Sequence, residues 1–293
     1  MKSEVPRQLM TVSHDSYRKD GYLVVADALS TNQLELLYEE TVRVCRGCYG
    51  SYNRWRGPHN GQSDEEVLAQ YICVHYPHKI SPLLRQMFSL PVIVDQLTKV
   101  IGPNVKAIQS MLFIKAAGKP GQAWHQDESY IPTRDRSLTG AWIALDDATT
   151  ENGCLWVIPG SHRPGILWPM REQDDTKFDC GFESYELPYS DADAIPVELP
   201  KGSAVILNGY LLHRSLPNRA KTGYRRALIN HYMSAESLLP WRPPKEGEYM
   251  AQADTRDFEI VAGQDPYPWK GREDIQQPSV RAGGEGGCQT EFS

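Results

Sequence analysis

The chain has 293 residues, 40% of them hydrophobic, enough for a sizeable buried core near the upper end of what one domain holds. Its formal net charge of -6 at pH 7 argues against nucleic acid as a partner, because sequence-independent phosphate binding needs a net basic face. The residues after Met1 lack the apolar core of a signal peptide and no apolar run reaches bilayer length, so a soluble cytoplasmic protein without a membrane partner is expected.

Taken in chain order, Tyr22-Leu-Val-Val after Asp20-Gly21 reads as a short strand. Ser30 and Gln33 then make a capping box opening a helix with Leu34, Leu37, Tyr38 and Cys45 on one face. Residues 49–65 are rich in Gly, Asn, Arg and aromatics and read as irregular surface chain. Ser81-Pro82 starts a second helix, and Ser89-Leu-Pro91 a third that runs to Gly102. From Val105 the grammar changes to short β-rich runs at Val105–Lys115, Thr139–Leu145, Leu155–Ile158, Ala204–Leu207 and Arg225–Met233, separated by Gly- and Pro-rich turns. Helices followed by closely spaced strands predict a mainly β protein with flanking helices. Its core would be a double-stranded β-helix of the jelly-roll or cupin-like kind. A single domain over 1–275 is expected, with a helical part to about 104 and the β core over about 105–240. Residues 167–197, polar and proline-punctuated, read as an insertion placed as a lid. Residues 276–293, with Gly283-Gly-Glu-Gly-Gly287, read as a disordered tail.

Six cysteines, Cys45, Cys48, Cys73, Cys154, Cys180 and Cys288, show no disulfide rhythm and fit a reducing compartment. Cys45-Arg-Gly-Cys48, even with His59, Cys73, His75 and His78 downstream, lacks the second paired motif of a structural zinc site, so reduced thiols at a helix end are expected.

Trp124-His125-Gln126-Asp127 holds the one His-x-Asp in the chain. In extended backbone, residues two apart point the same way, so His125 and Asp127 can reach a common metal ion. His213, in Asn208-Gly-Tyr-Leu-Leu-His213-Arg-Ser215, is the candidate third ligand. Two histidines and a carboxylate occupy one face of an octahedron and leave room for a bidentate co-substrate and dioxygen. Arg225, on the following run, can take the distal carboxylate of a dicarboxylate through its fork, although a solvent-facing strand residue is the ordinary fate of an arginine. His14, His75, His78 and His231 have no partner at ligand spacing and are discounted; His162 is read as a turn stabiliser and His59 as a pocket-rim residue.

These residues carry a resemblance. Through His125-Gln-Asp127, Gly140-Ala-Trp142, Glu151-Asn-Gly-Cys-Leu-Trp-Val-Ile-Pro-Gly-Ser-His162, His213-Arg-Ser215 and Arg225, the sequence resembles the phytanoyl-CoA dioxygenase family from Asp20 to about residue 235. The resemblance implies Fe(II) held by His125, Asp127 and His213, with 2-oxoglutarate contacted by Met111, Trp142, Ser215 and Arg225. It implies O2 as oxidant, succinate and CO2 as products, and a small-molecule or natural-product substrate that is hydroxylated. The family's usual spacing from the distal histidine lands on Tyr224, with arginines at 225 and 226, so the anchor is Arg225 or its neighbour. Asp127 favours hydroxylation over halogenation, which needs that carboxylate position vacated. Two other readings use the same residues: a cupin-like metal-dependent lyase or isomerase that does not use O2, for which Arg225 has no evident purpose, and a catalytically silent binding module, for which an intact triad has none.

Overall fold

The computed structural model describes residues 14–179 and 181–282. Helix α1 (His14–Asp20) leads into strand β1 (Tyr22–Val25), then helix α2 (Thr31–Cys45). The Ser30 side chain accepts from Gln33 N and Gln33 reciprocates on Ser30 N, so the expected capping box is present. Helix α3 (Asp64–Leu68), strand β2 (Tyr71–His75), helix α4 (Pro82–Gln86) and helix α5 (Pro91–Val100) follow. Ser81 caps α4 through Leu84 N, and prolines with fixed φ open both α4 and α5.

The β-rich part begins with β3 (Val105–Ala116) and β4 (Gln122–His125), and continues with β5 (Thr139–Ala144) and β6 (Leu155–Val157). Next come β7 (Met170–Glu172), β8 (Phe182–Ser184), β9 (Ile195–Val197), β10 (Ala204–Asn208), β11 (His213–Ser215) and β12 (Tyr224–Ser234). β13 (Glu259–Ala262) and β14 (Ser279–Ala282) complete the described strands. A large sheet runs β1-β10-β5-β12-β3-β2-β14, with β13 also on β3, and a small one runs β4-β11-β6-β9. The pairings in both are antiparallel.

Strand alternation divides the large sheet into two faces. Leu112, Ile114, Ala141, Ile143, Ala204, Ile206 and Leu228 join the core that Leu37, Leu84, Ile93 and Leu97 of the helices complete. Each fully buried Leu or Ile among these contributes about 1.5–3 kcal/mol. The opposite set, Trp142, Ala144, Val205, Leu207, Ala227 and Ile229, packs with Leu155 and Val157 of the small sheet. Helices, large sheet and small sheet thus form three layers, and an open cavity lies between the sheets.

Three expectations give way. The strand read at Tyr22-Leu-Val-Val is β1, but the part before residue 104 also supplies β2, which was not expected, so helices do not simply precede strands. β2 is buried along its whole length, covered on both faces, and therefore lacks the alternation that betrays a strand. The segment 167–197 is tied to the small sheet rather than simply set over it: β7 and β8 form their own two-stranded sheet, β9 pairs with β6, Trp168 N donates to Gln126 Oε1 at 2.9 Å, and Phe178 bridges Gly121. Finally, the expected disordered tail begins with order. β14 pairs with β2, Val280 enters the core, and Gln276 Nε2 donates to Ile108 O at 2.9 Å. A glycine-rich composition averaged over the segment hides a four-residue strand; residues 283–293 lie outside the described ones. Among the described residues, no helix is long and apolar enough to cross a membrane.

Candidate active site

His125 and His213 are directly opposite each other on the paired strands β4 and β11, so their side chains leave the same face. The ring centroids are 4.1 Å apart. Asp127 is reached through Gln126, still extended, and opens a short 3-10 turn, which swings its carboxylate in beside the rings. Asp127 Oδ1 lies 3.7 Å from His125 Nε2 and 3.5 Å from His213 Nε2. One donor atom from each residue falls within 4.8 Å of the others, and no other such cluster of three occurs among the described residues.

The ring orientation is set locally. His125 Nδ1 donates to Ala123 O at 2.8 Å and His213 Nδ1 to Leu211 O at 3.0 Å, which leaves both Nε2 atoms as acceptors toward the shared space. Burial, reinforced by the neighbouring His213, pushes the His125 imidazole down to about 3. Burial alone would raise the Asp127 carboxyl, yet His213, His231 and His125 together hold it well below the usual carboxylate range. A neutral imidazole at His125 beside an ionised carboxylate is the state in which such ligands take up a divalent cation, so the donor set fits a first-row metal ion.

His231, discounted in the sequence, belongs here. Its Nε2 donates to Asp127 Oδ2 at 3.3 Å, leaving Oδ1 turned toward the two histidines. Alternation from Arg225 along β12 puts 227, 229 and 231 on the cavity face, a signal that spacing between histidines alone does not carry. Opposite it stands Gly140, where a Cβ would lie 3.4 Å from Asp127 Oδ2.

The other end of the cavity is cationic. Arg225, 2% exposed, donates from Nε to Gly153 O at 3.1 Å, and its guanidinium carbon lies 5.4 Å from the Trp142 ring centroid. Its cross-strand partner is Lys115, whose Nζ donates to Leu216 O at 2.7 Å and to Ser215 Oγ at 3.0 Å. Gly153 has φ +83, and a Cβ there would come 2.3 Å from Leu216 O; the Glu151-Asn-Gly turn is what brings that carbonyl to Arg225. Arg226 points the other way, bound twice by Asp146 at 2.7 and 2.5 Å and set 4.5 Å over Tyr38 of α2. Met111, Ile229 and Trp142 stand in one row across β3, β12 and β5 and line the same cavity.

The family model for phytanoyl-CoA dioxygenase matches residues 17–227, most of the chain. The chain belongs to the phytanoyl-CoA dioxygenase family. Phytanoyl-CoA dioxygenase 1 of Oryza sativa subsp. japonica is 37% identical over 165 residues, 55% of this chain and 57% of that protein. The chain thus spans somewhat over half the length of that curated relative. Two solved structures share the fold. A non-heme monooxygenase, ThoJ, has TM-score 0.64 at 22% identity, covering 86% of this chain and 84% of its own. The epimerase SnoN, in complex with Fe3+, alpha ketoglutarate and nogalamycin RO, has TM-score 0.61 at 18% identity over 93% and 95%. The family match holds the triad and Arg225 but ends before His231, Trp241 and Arg281, which also line the cavity.

The remaining candidates fall elsewhere. His59 is buried against Tyr71 and Gln62 rather than at the rim, and His162 donates from Nε2 to Arg18 O at 3.2 Å. Cys45 is buried and Cys48 exposed, both reduced. The sequence reading also missed Lys115, Asp179 and Arg281, which meet the cavity only through strand pairing and loop closure.

Proposed function

We propose that the chain is a non-haem iron(II)- and 2-oxoglutarate-dependent dioxygenase that hydroxylates a small-molecule substrate on a double-stranded β-helix core. The observation that carries this is the pairing, in one cavity, of a three-donor metal cradle with a buried cationic end that is short of an anion. Burial pushes Arg225 down to about 10, and burial with the charge of Arg225 pushes Lys115 well below its ordinary value. Two adjoining buried cations are costly unless an anion joins them. A dicarboxylate whose far carboxylate meets Arg225 supplies that anion. A lyase or isomerase without such a co-substrate would leave the cost standing.

His125, Asp127 and His213 would hold the iron, which when bound supplies the activation of dioxygen coupled to decarboxylation of 2-oxoglutarate to succinate. The protein's own residues do the placing. Arg225 takes the distal carboxylate by its fork, Ser215 adds a hydroxyl, and Lys115 holds Ser215 and the Leu216 carbonyl in place. Trp142 and Met111 wall the co-substrate and keep water from it. His231 fixes the second oxygen of Asp127 so that the first stays on the metal side.

The test is spectroscopic. Anaerobic addition of iron(II) and then 2-oxoglutarate is expected to produce a weak visible charge-transfer band, which zinc(II) in place of iron does not give. Absence of the band together with absence of calorimetric heat on adding 2-oxoglutarate overturns the reading. A second expectation concerns His231. Replacing it by leucine should weaken metal affinity by roughly 10- to 100-fold, as loss of a partner to a ligand generally does, while His231→Gln, which keeps a donor, retains most of it. Cobalt(II) titration of the two variants reads the difference; equal losses would mean that His231 acts by packing alone.

A further inference from the structure

Strand alternation along β3 turns Gln109, Met111, Phe113 and Lys115 toward the cavity. Gln109 stands opposite His231 on β12, and His231 stands opposite Gly140 on β5, so the carboxamide is one strand spacing, about 5 Å, from the histidine that holds Asp127. The register shifts immediately after this pair. β3 carries Ile108 as an extra residue, and the Ile108 side chain joins Ile131, Leu138, Met233 and Leu239 in an apolar cluster. Ile131, and Trp241 packed on that cluster, also line the cavity.

Gln109 is 7% exposed, yet its side chain makes no hydrogen bond to any of the described residues. The other buried carboxamides are engaged: Gln96 with His14, Gln126 with Tyr210 O, Asn218 with Lys115 O, Asn230 with Met87 O and Gln276 with Ile108 O. A buried amide with neither its donor nor its acceptor matched is costly, and apolar residues would fill the same space without that cost. The charges about the cavity are, by contrast, spoken for. Asp127 belongs to the triad, and Arg225 with Lys115 to the co-substrate. Arg281 Nη2 lies 2.6 Å from Asp179 Oδ2, and Arg214 Nη1 lies 2.9 Å from Asp191 Oδ1. His75, opposite Met111 on β2, is neutral: burial first, then the charges of Arg281 and Arg54, push its imidazole down to about 3.

We propose that Gln109 is a specificity-determining residue for the prime substrate, an uncharged and largely apolar small molecule whose hydroxyl or carboxamide meets the Gln109 side chain. The inference rests on the oxygenase reading and names a substrate class for the same cavity. A carboxamide offers both a donor and an acceptor, so a group that does the same satisfies it without a charge. A molecule lacking such a group strands the amide against an apolar wall, and sites built to hydrogen-bond a substrate discriminate chiefly by that penalty. A carboxylate or ammonium on the substrate would be stripped of water among pairs that are already matched, with no counter-charge to receive it.

The experiment has two arms. Iron(II)-loaded enzyme with 2-oxoglutarate is screened for stimulated succinate release by cyclic and aromatic alcohols and carboxamides, each beside the carboxylic acid, the amine and the methyl compound of the same skeleton. Alcohols or carboxamides are expected to stimulate; their charged counterparts are not. The best compound and its methyl analogue are then titrated calorimetrically into protein carrying zinc(II) and 2-oxoglutarate. In the unaltered protein the methyl analogue should bind about tenfold more weakly, the weight of leaving the amide unpaired. Gln109→Met, of like size but without the amide, should weaken the best compound about tenfold and bring the two within about twofold of each other. Binding of 2-oxoglutarate itself should move by less than about twofold, which separates this position from the Arg225 end. Acids or amines as effective as their uncharged counterparts, no uncharged compound active on an enzyme that binds 2-oxoglutarate, or an unchanged preference over the methyl analogue in Gln109→Met each overturns the proposal. Should Gln109→Met fail to fold, Gln109→Asn, which keeps the amide but withdraws it by one methylene, decides by the same ratio. An enzyme that shows neither the charge-transfer band nor 2-oxoglutarate binding overturns instead the oxygenase reading beneath it.

Discussion

Replacing His125 or His213 by alanine is expected to abolish iron binding and turnover together, because the two remaining donors hold iron(II) weakly. Asp127 is the more informative position. Asp127→Gly keeps both imidazoles, whose Nδ1 atoms stay pinned to the carbonyls of Ala123 and Leu211, and keeps the cationic end at Arg225. It should lose hydroxylation while retaining some metal, with the opened position able to accept chloride or azide, visible as an altered spectrum of the cobalt(II) protein. Asp127→Glu should also be poor. One methylene displaces the oxygen by about 1 Å, and in a positioned site that shift costs on the order of a hundredfold. Full succinate formation by Asp127→Ala with substrate present would remove this carboxylate from the ligand set. Two neighbouring carboxylates are already engaged: Asp146 is held by Arg226, and Asp147 accepts from Lys201 N at 2.8 Å, so the search would turn to Glu151.

What the sequence made legible, and what it did not, follows from how far apart the interacting residues lie along the chain. His125 and Asp127 are two residues apart and share an extended stretch, so their convergence is a local property. His213 is visible because a strand run and a turn lead into it. The capping box at Ser30 and the proline-led helices at Pro82 and Pro91 are equally local, and each stands where its signal put it. The cationic end is otherwise. Lys115 meets Ser215 across 100 positions and Arg225 only through the register of β3 with β12, which no periodicity encodes. Arg281 and Asp179 depend on a four-residue edge strand and a loop held by backbone bonds to Gly121. His231 lies between these cases: alternation along its own strand would have placed it beside Asp127, had that strand been read from Arg225 rather than the histidine judged by its distance from others.

The largest effect expected outside the triad separates Arg225 from Arg226. They are consecutive on β12, so they face opposite sides of the large sheet, and the sequence alone leaves either as the anchor. Burial and partners distinguish them. Arg225 faces the cavity with Gly153 O and Trp142 about it, while Arg226 is already satisfied by Asp146 and lies over Tyr38 on the helix side. Arg225→Ala should therefore raise the 2-oxoglutarate concentration needed for half-maximal rate by about two orders of magnitude, equivalent to about 2.7 kcal/mol, since a bidentate charge-assisted contact is lost. Arg225→Lys should recover only part of this, because an ammonium cannot reproduce the planar fork and burial beside Lys115 disfavours a second charged amine. Arg226→Ala should leave that requirement nearly unchanged and instead lower stability by about 1–3 kcal/mol, the consequence of leaving Asp146 half-buried without its partner. Steady-state rates over a 2-oxoglutarate series, set beside urea unfolding midpoints for the three variants, read both quantities. The opposite assignment of effects, with co-substrate affinity tracking Arg226 and stability tracking Arg225, would move the anchor to the helix face of the sheet and sink the cavity as the 2-oxoglutarate site.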